Sequence, residues 1–185
     1  MKSINRKITL AIAFLLLLLP NFSRAHTSEA VIKAAFLERF TRFIEWPEEA
    51  EIDDTTKPFI ITVIGENPFG PILSEFYSSS KIRNKEVEIR YISKPGEISD
   101  CHLLFISGDE EDSLVNTLNI VSGKPVLTVS DTEGFAEQGV HINLYIADEK
   151  VRFEINETAI RNSSINVSSH LLSAAKIVKP YKDKQ

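Results

Sequence analysis

The chain has 185 residues, 43% of them hydrophobic and 25% charged, and its formal net charge is −5. The acidic balance argues against binding to nucleic acid, because a phosphate backbone would be repelled unless a local basic patch existed. The single cysteine excludes an internal disulfide, so the stability of the fold must come from its hydrophobic core.

The first 25 residues have the layout of a secretory signal peptide. Three basic residues precede a largely apolar run of twelve residues at 8–19, and small residues occupy the two key positions before a cleavage site after Ala25. A membrane-spanning helix needs about 20 residues, so this run is too short to be one. We therefore predict a signal peptide at 1–25, cleaved after Ala25, and an exported domain at 26–185.

The mature chain would have the usual size of one domain. The signal segment carries four of the 21 basic residues and no acidic ones, so 17 basic and 26 acidic residues remain. No second apolar run approaches the length of a membrane span. We expect a single soluble domain that does not insert into a membrane.

Residues 31–47 predict the first helix. Four large apolar side chains recur at helical spacing and define a buried stripe: Ile32, Phe36, Phe40 and Phe43. Thr27 or Ser28 is expected to cap the start of the helix. Pro47 disfavours helical geometry in the residue before it, so the helix should end near Trp46.

The rest of the chain alternates between strand and helix patterns. Strands are predicted at 59–64, 87–91, 103–107 and 125–130, with a hairpin formed by 140–146 and 151–155. Helices are predicted at 68–79, at 109–121 and at 157–178, the last with a break at 162–164. This order predicts the α/β class: a single-domain layered sandwich with a largely parallel sheet and an antiparallel C-terminal hairpin, flanked by helices.

One connection conflicts with a regular parallel crossover. Only 11 residues, at 92–102, join the second and third predicted strands, fewer than the dozen or more that a crossover helix normally needs. A single helical turn or an antiparallel pair must therefore serve there.

The residue types that carry enzyme chemistry are not arranged for it. Cys101 and His102 are neighbours on a predicted strand and point to opposite faces, so they cannot share a proton. The four histidines have no metal-ligand spacing, and the turn at 65–70 lacks the lysine of a phosphate-binding loop. Ser130 has no nucleophile elbow around it, and Asp131 is interpreted as a turn or cap residue. We expect no enzyme activity, metal or cofactor, which leaves a binding role.

Seven short phrases then connect the chain to a known family. Their order and spacing across nearly all of the mature chain resemble the YfiR family of periplasmic bacterial proteins. The phrases are KAAFL at 33–37, FIEWP at 43–47, IGENPFG at 64–70, CHLLFIS at 101–107, VLTVSD continued by GF at 126–135, VRFEIN at 151–156 and VSSHLL at 167–172.

The resemblance implies a non-enzymatic periplasmic regulator that works as a dimer. Its partner would be the periplasmic sensor domain of a membrane-bound diguanylate cyclase, and binding would repress the synthesis of cyclic-di-GMP and so control biofilm formation. Well-known relatives carry several cysteines and internal disulfides linked to redox control, whereas this chain has only Cys101. Redox gating by an internal disulfide is therefore excluded for this chain.

Three residues are nominated for contact with the partner. Alternation in the strand at 151–155 puts Phe153 and its apolar neighbours on one face and Glu154 on the other. If the apolar face covers the core, Glu154 is exposed near the start of the last helices. We nominate Glu154, Ile160 and His170 as the partner-binding residues.

Two other functions remain open. The first is a periplasmic small-molecule binding module that serves a sensor kinase or a transport system. The second is an envelope hydrolase that uses Ser130 or Cys101, for which the sequence offers the weaker support.

Overall fold

The computed structural model of the chain describes residues 20–180, apart from the side chains of residues 20–28 and 109–110. The apolar run of the predicted signal peptide, at 8–19, lies outside the described residues. The first helix begins at Pro20 and passes through Ala25, so cleavage at that point remains a prediction. Within the described part of the chain, no helix combines the length and the hydrophobicity that a membrane span requires.

The described residues form five α-helices and nine β-strands. The helices are α1 (Pro20–Thr41), α2 (Ile72–Tyr77), α3 (Leu114–Val121), α4 (Glu157–Arg161) and α5 (Ser169–Ala174). The strands are β1 (Ile44–Glu45), β2 (Phe59–Ile64), β3 (Val87–Ile92), β4 (Leu103–Ile106), β5 (Leu127–Ser130), β6 (Ile142–Ala147), β7 (Lys150–Asn156), β8 (Asn166–Val167) and β9 (Lys176–Val178).

Seven of the strands form one sheet in the order β3-β2-β4-β5-β6-β7-β9. Neighbours from β3 to β6 are parallel, β6 and β7 form an antiparallel hairpin, and β7 pairs in parallel with β9. The central strands are continuous apolar runs, as expected for parallel strands that are covered on both faces. The predicted α/β sandwich with an antiparallel hairpin is confirmed.

The short connection joins two strands that are not neighbours. β3 and β4 both pair in parallel with β2, one on each side of it. Between them the chain makes a single 3-10 turn at Pro95–Glu97, and the following Ile98 packs on the core beneath. The expected single helical turn is therefore the solution that the chain adopts.

Both faces of the sheet are covered, by different elements. α1 and α2 pack on one face, where Leu37 and Phe40 join a large apolar cluster. They also pack on each other, since the Tyr77 hydroxyl donates to the Ala34 carbonyl at 3.1 Å. The opposite face is covered by α3 and by the loop at 131–140, which contributes Phe135 to a second cluster.

The predicted stripe of α1 is confirmed at Phe40, with Phe36 and Phe43 packed against the core, and is wrong at Ile32. The fully buried residues of the helix are Ala34, Leu37, Phe40 and Thr41, whereas Ile32 is 41% exposed. The predicted cap at Thr27 or Ser28 is wrong, because the helix is already formed at Pro20. The helix also ends before Trp46, because the chain continues into β1, which pairs with β8.

The C-terminal part is less helical than predicted. α4 and α5 are separated by β8, and residues 176–178 form β9 instead of continuing a helix. The starts of both helices are capped by side chains: Asn156 accepts from the Ala159 N–H at 2.8 Å, and Ser168 accepts from the Leu171 N–H at 3.4 Å. β9 gains its backbone partners from β7, a contact that local sequence does not reveal.

His141 is buried next to β5 as a neutral imidazole. Its Nδ1 accepts a hydrogen bond from the Thr128 backbone N–H at 3.2 Å, and the backbone N–H of His141 donates to Thr128 Oγ1 at 2.9 Å. Burial lowers the pKa of His141 to about 4, whereas the unfolded chain takes up this proton near pH 6.5. Between these two values the unfolded state binds more protons than the folded state, so folding loses stability as the pH falls.

Acidification from pH 6.5 to 4 is therefore expected to remove up to about 3 kcal/mol of unfolding free energy through His141. Urea unfolding at several pH values measures this. His141→Asn keeps an acceptor for the Thr128 N–H but does not titrate, so its unfolding free energy should fall less over the same range. An equally steep fall in the variant would contradict the assignment.

Candidate functional site

Four polar side chains form a continuous row across the sheet. Ser130 of β5 is in register with Asn143 of β6, Asn143 with Glu154 of β7, and Glu154 with Lys176 of β9. Residues in register on neighbouring strands point to the same face, so these four share one face of the sheet. We call this set the polar row.

Hydrogen bonds link three of the four members of the polar row. Lys176 Nζ donates to Glu154 Oε2 at 2.8 Å, and Asn143 Nδ2 donates to Glu154 Oε1 at 3.4 Å. Ser130 Oγ donates to the Ile106 carbonyl at 2.7 Å. The hydrogen bond to Glu154 raises the pKa of Lys176, which keeps this amine charged.

Glu154 lies on the face that alternation predicted, opposite Phe153, but the prediction that it is exposed is wrong. Its exposed fraction is 6%. The loop at 131–140 returns over this part of the sheet, and the Asn156 side chain donates to the Ala136 carbonyl at 2.7 Å. The carboxylate is thus held beneath a loop that is distant in sequence.

The other two nominated residues lie away from the polar row. Ile160 is 2% exposed and belongs to the core beneath α1, so it is not a surface residue as its nomination requires. His170 on α5 is exposed. Neither residue lines the cavity that contains Glu154, so the structure does not bring the three together there.

A cavity of about 500 Å³ lies beside the polar row. Its lining combines three residues of the polar row with the loop after β5, with residues of β6 and with part of α1. The lining residues are Glu29, Lys33, Asp131, Glu133, Gly134, Glu137, Asn143, Leu144, Tyr145, Ile146, Glu154 and Lys176.

An ion pair closes one end of this cavity and was missed by the sequence reasoning. Lys33 Nζ lies 2.6 Å from Asp131 Oδ2 and 2.5 Å from Glu29 Oε1. Burial disfavours the charged amine, but the hydrogen bonds to the two carboxylates outweigh it and raise the pKa of Lys33. Asp131 therefore connects the end of β5 to α1 through this ion pair. The sequence feature that indicated a buried partner was a lysine within the apolar stretch of α1.

A second cavity, of about 680 Å³, lies at the opposite edge of the sheet and is lined by Cys101 and His102. The two ring nitrogens of His102 contact backbone groups: Nδ1 accepts from the Ile60 N–H at 3.0 Å, and Nε2 lies 3.2 Å from the Ala50 carbonyl. Burial lowers the pKa of His102. This imidazole is held as a packing element and is not aimed at the thiol.

The Cys101 thiol is expected to react slowly in the folded protein. It is 8% exposed, and burial raises its pKa to about 11. At pH 7.5 roughly one thiol in three thousand would then be ionised, and the thiolate is the reactive form. Labelling with a disulfide reagent should be slow in buffer and fast in urea; fast labelling of the folded chain would contradict the burial.

The described side chains contain no group of three or more histidine, cysteine, aspartate or glutamate residues that could hold a metal ion. The polar row and its cavity present charged and hydrogen-bonding side chains.

Comparison with known proteins adds one finding. A family model described as YfiR/HmsC-like matches residues 30–176. The matched span runs from α1 to the start of β9 and includes the whole polar row. No curated protein matches the chain significantly.

Proposed function

The chain belongs to the YfiR/HmsC-like family, and on this premise we propose that it is a non-enzymatic periplasmic regulator. It binds the periplasmic sensor domain of a membrane-bound diguanylate cyclase and represses the synthesis of cyclic-di-GMP. The observation that carries this proposal is the family match, which extends over most of the chain.

Repression follows from a shifted equilibrium. The regulator favours the inactive state of the cyclase only to the extent that it binds that state more tightly than the active one. A signal peptide at 1–25 delivers the chain to the periplasm, and the mature chain acts as a homodimer. A release signal cannot be an internal disulfide, because Cys101 is the only cysteine.

The C-terminal strands offer a surface for the sensor domain. Ile146 and Ile177 are 57% and 46% exposed, and both lie on the face opposite the polar row. Exposed apolar side chains next to charged ones are typical of recognition surfaces. We place the contact at the edge formed by the β6–β7 hairpin and β9.

The nominated residues take different parts in this contact. His170 is exposed and can contact the partner directly. Glu154 acts by holding Lys176, whose side chain is 60% exposed. Ile160 is a buried residue of α4 and acts by packing this helix on the core.

Deletion of the gene tests the proposal. In a strain that carries a membrane-bound diguanylate cyclase as partner, loss of the chain should raise cyclic-di-GMP and increase biofilm, and re-expression with its signal segment should reverse both. A mutant whose cyclic-di-GMP stays at the parental level, with the cyclase present, would contradict repression.

The two cavities favour one alternative, a periplasmic module that binds a small molecule for a sensor kinase or a transporter. Pockets of 300–1,000 Å³ are the usual size for such ligands. Calorimetry against candidate metabolites separates the two functions. Tight binding of a metabolite, with no complex formed with a cyclase sensor domain, would favour the alternative.

A further inference from the structure

The cavity beside the polar row carries more negative than positive charge. Its lining has two lysines and five carboxylates: Glu29, Asp131, Glu133, Glu137 and Glu154. Lys33 is shared by two of these carboxylates, and Lys176 pairs with a third. Glu133 and Glu137 form no salt bridge with a described lysine or arginine.

Two buried acceptor atoms in the lining have no donor among the described residues. They are Asn143 Oδ1 and Glu137 Oε2. Asn143 is 1% exposed, and its Nδ2 already donates to Glu154. Turning the amide over would bring its oxygen against the Glu154 carboxylate, so this hydrogen bond fixes Oδ1 as the free acceptor.

Buried acceptors without donors are costly and are rare in folded proteins. Asn143 and Glu137 both line a cavity with surplus negative charge, whose lining also includes Tyr145. A planar guanidinium supplies several N–H donors and a positive charge, and it also stacks on aromatic rings. An ammonium supplies three donors and the same charge.

From this arrangement we propose that the cavity beside the polar row binds a guanidinium or primary ammonium group, with Asn143 Oδ1 and Glu137 Oε2 as acceptors. The group comes either from a free cationic solute or from an arginine or lysine side chain of a bound protein. This site goes beyond the regulatory function and can be tested without any partner.

Butylguanidinium is a suitable probe, and butylurea is its uncharged counterpart of nearly the same shape. Calorimetry with the purified chain should detect binding of butylguanidinium and none of butylurea. Glu137→Gln keeps the shape of the side chain and should weaken binding about tenfold, because a neutral acceptor replaces a charged one in the hydrogen bond. Asn143→Leu should have a similar effect.

Glu88→Gln is the matched control, because Glu88 lines the other cavity. Its affinity for the probe should equal that of the unmodified chain. The proposal is overturned if butylguanidinium does not bind, if butylurea binds equally well, or if Glu137→Gln leaves the affinity unchanged. The conservative Glu137→Gln change keeps the test valid even if Asn143→Leu does not fold.

A competition assay identifies the source of the cationic group. Saturating butylguanidinium should displace a cyclase sensor domain if the cavity holds an arginine or lysine side chain of that domain. If the complex persists while the probe is bound, the natural ligand is a free solute. A failure of the sensor domain to bind at all contradicts the regulatory function but leaves the calorimetric result for the cavity intact.

Discussion

Glu154→Arg is expected to lower the free energy of unfolding by about 3 kcal/mol or more, because it places an unpaired cation at a buried position. The new guanidinium would face the Lys176 amine and the Asn143 Nδ2 donor, both of which now bond to the carboxylate. Chemical unfolding followed by circular dichroism measures the change.

Glu154→Gln is the matched control for this substitution. Glutamine keeps the size of the side chain, and its single oxygen can still accept from Lys176, while its NH2 can donate to Asn143 Oδ1 once that amide turns over. Since the Lys176 side chain is 60% exposed, loss of the ionic part of this pair should cost less than about 1 kcal/mol. Equal stability of Glu154→Arg and Glu154→Gln would show that position 154 is open to solvent.

Phe40→Ala is expected to destabilise the fold by about 3–5 kcal/mol. Phe40 is fully buried, and its ring packs edge-to-face on Phe153 with the ring centres 5.1 Å apart. Removing the ring opens a cavity between α1 and the sheet that neighbouring side chains can fill only in part. Thermal or urea unfolding gives the measurement.

Ile32→Ala is the control, on the same helix and of the same chemical kind. Ile32 is 41% exposed, so its loss should change the unfolding free energy by less than about 1 kcal/mol. A loss at Ile32 as large as that at Phe40 would instead favour the buried stripe that the sequence periodicity predicted, which contains both residues.

The fold was predictable where the signal was local. β4 is an unbroken apolar run and β2 is apolar apart from Thr62. The hairpin reverses at Asp148 and Glu149, both of which take positive φ. The face of α1 was harder to predict, because its buried stripe includes Ala34 and Thr41, whose hydrophobicity is low. Helical spacing correctly selected Phe40 but wrongly extended the buried stripe to the larger Ile32.

The candidate site depends on contacts between distant parts of the chain. Alternation correctly placed Glu154 opposite the apolar face, but its burial results from the loop at 131–140, which sequence periodicity does not position. Lys33 and Asp131 are separated by 98 positions. The lysine within the apolar stretch of α1 indicates that a partner is needed, but nothing near it in the sequence identifies Asp131 as that partner. β9 is three residues long and forms only because β7 offers a free edge.

The contact surface that we propose is based on where these elements lie. The polar row fixes Lys176 at the edge of the sheet, beside the exposed Ile177. A partner that binds there would meet one charged and one apolar side chain on adjacent residues, on opposite faces of β9.

Binding between the purified mature chain and the periplasmic domain of the cyclase tests the central claim most directly. Calorimetry or surface plasmon resonance should detect a saturable complex. Exchange of Lys176 or His170 for alanine should weaken it, while Val115→Ala, a change of an exposed residue on α3, should not. Absence of a complex between two folded proteins would contradict the proposed function.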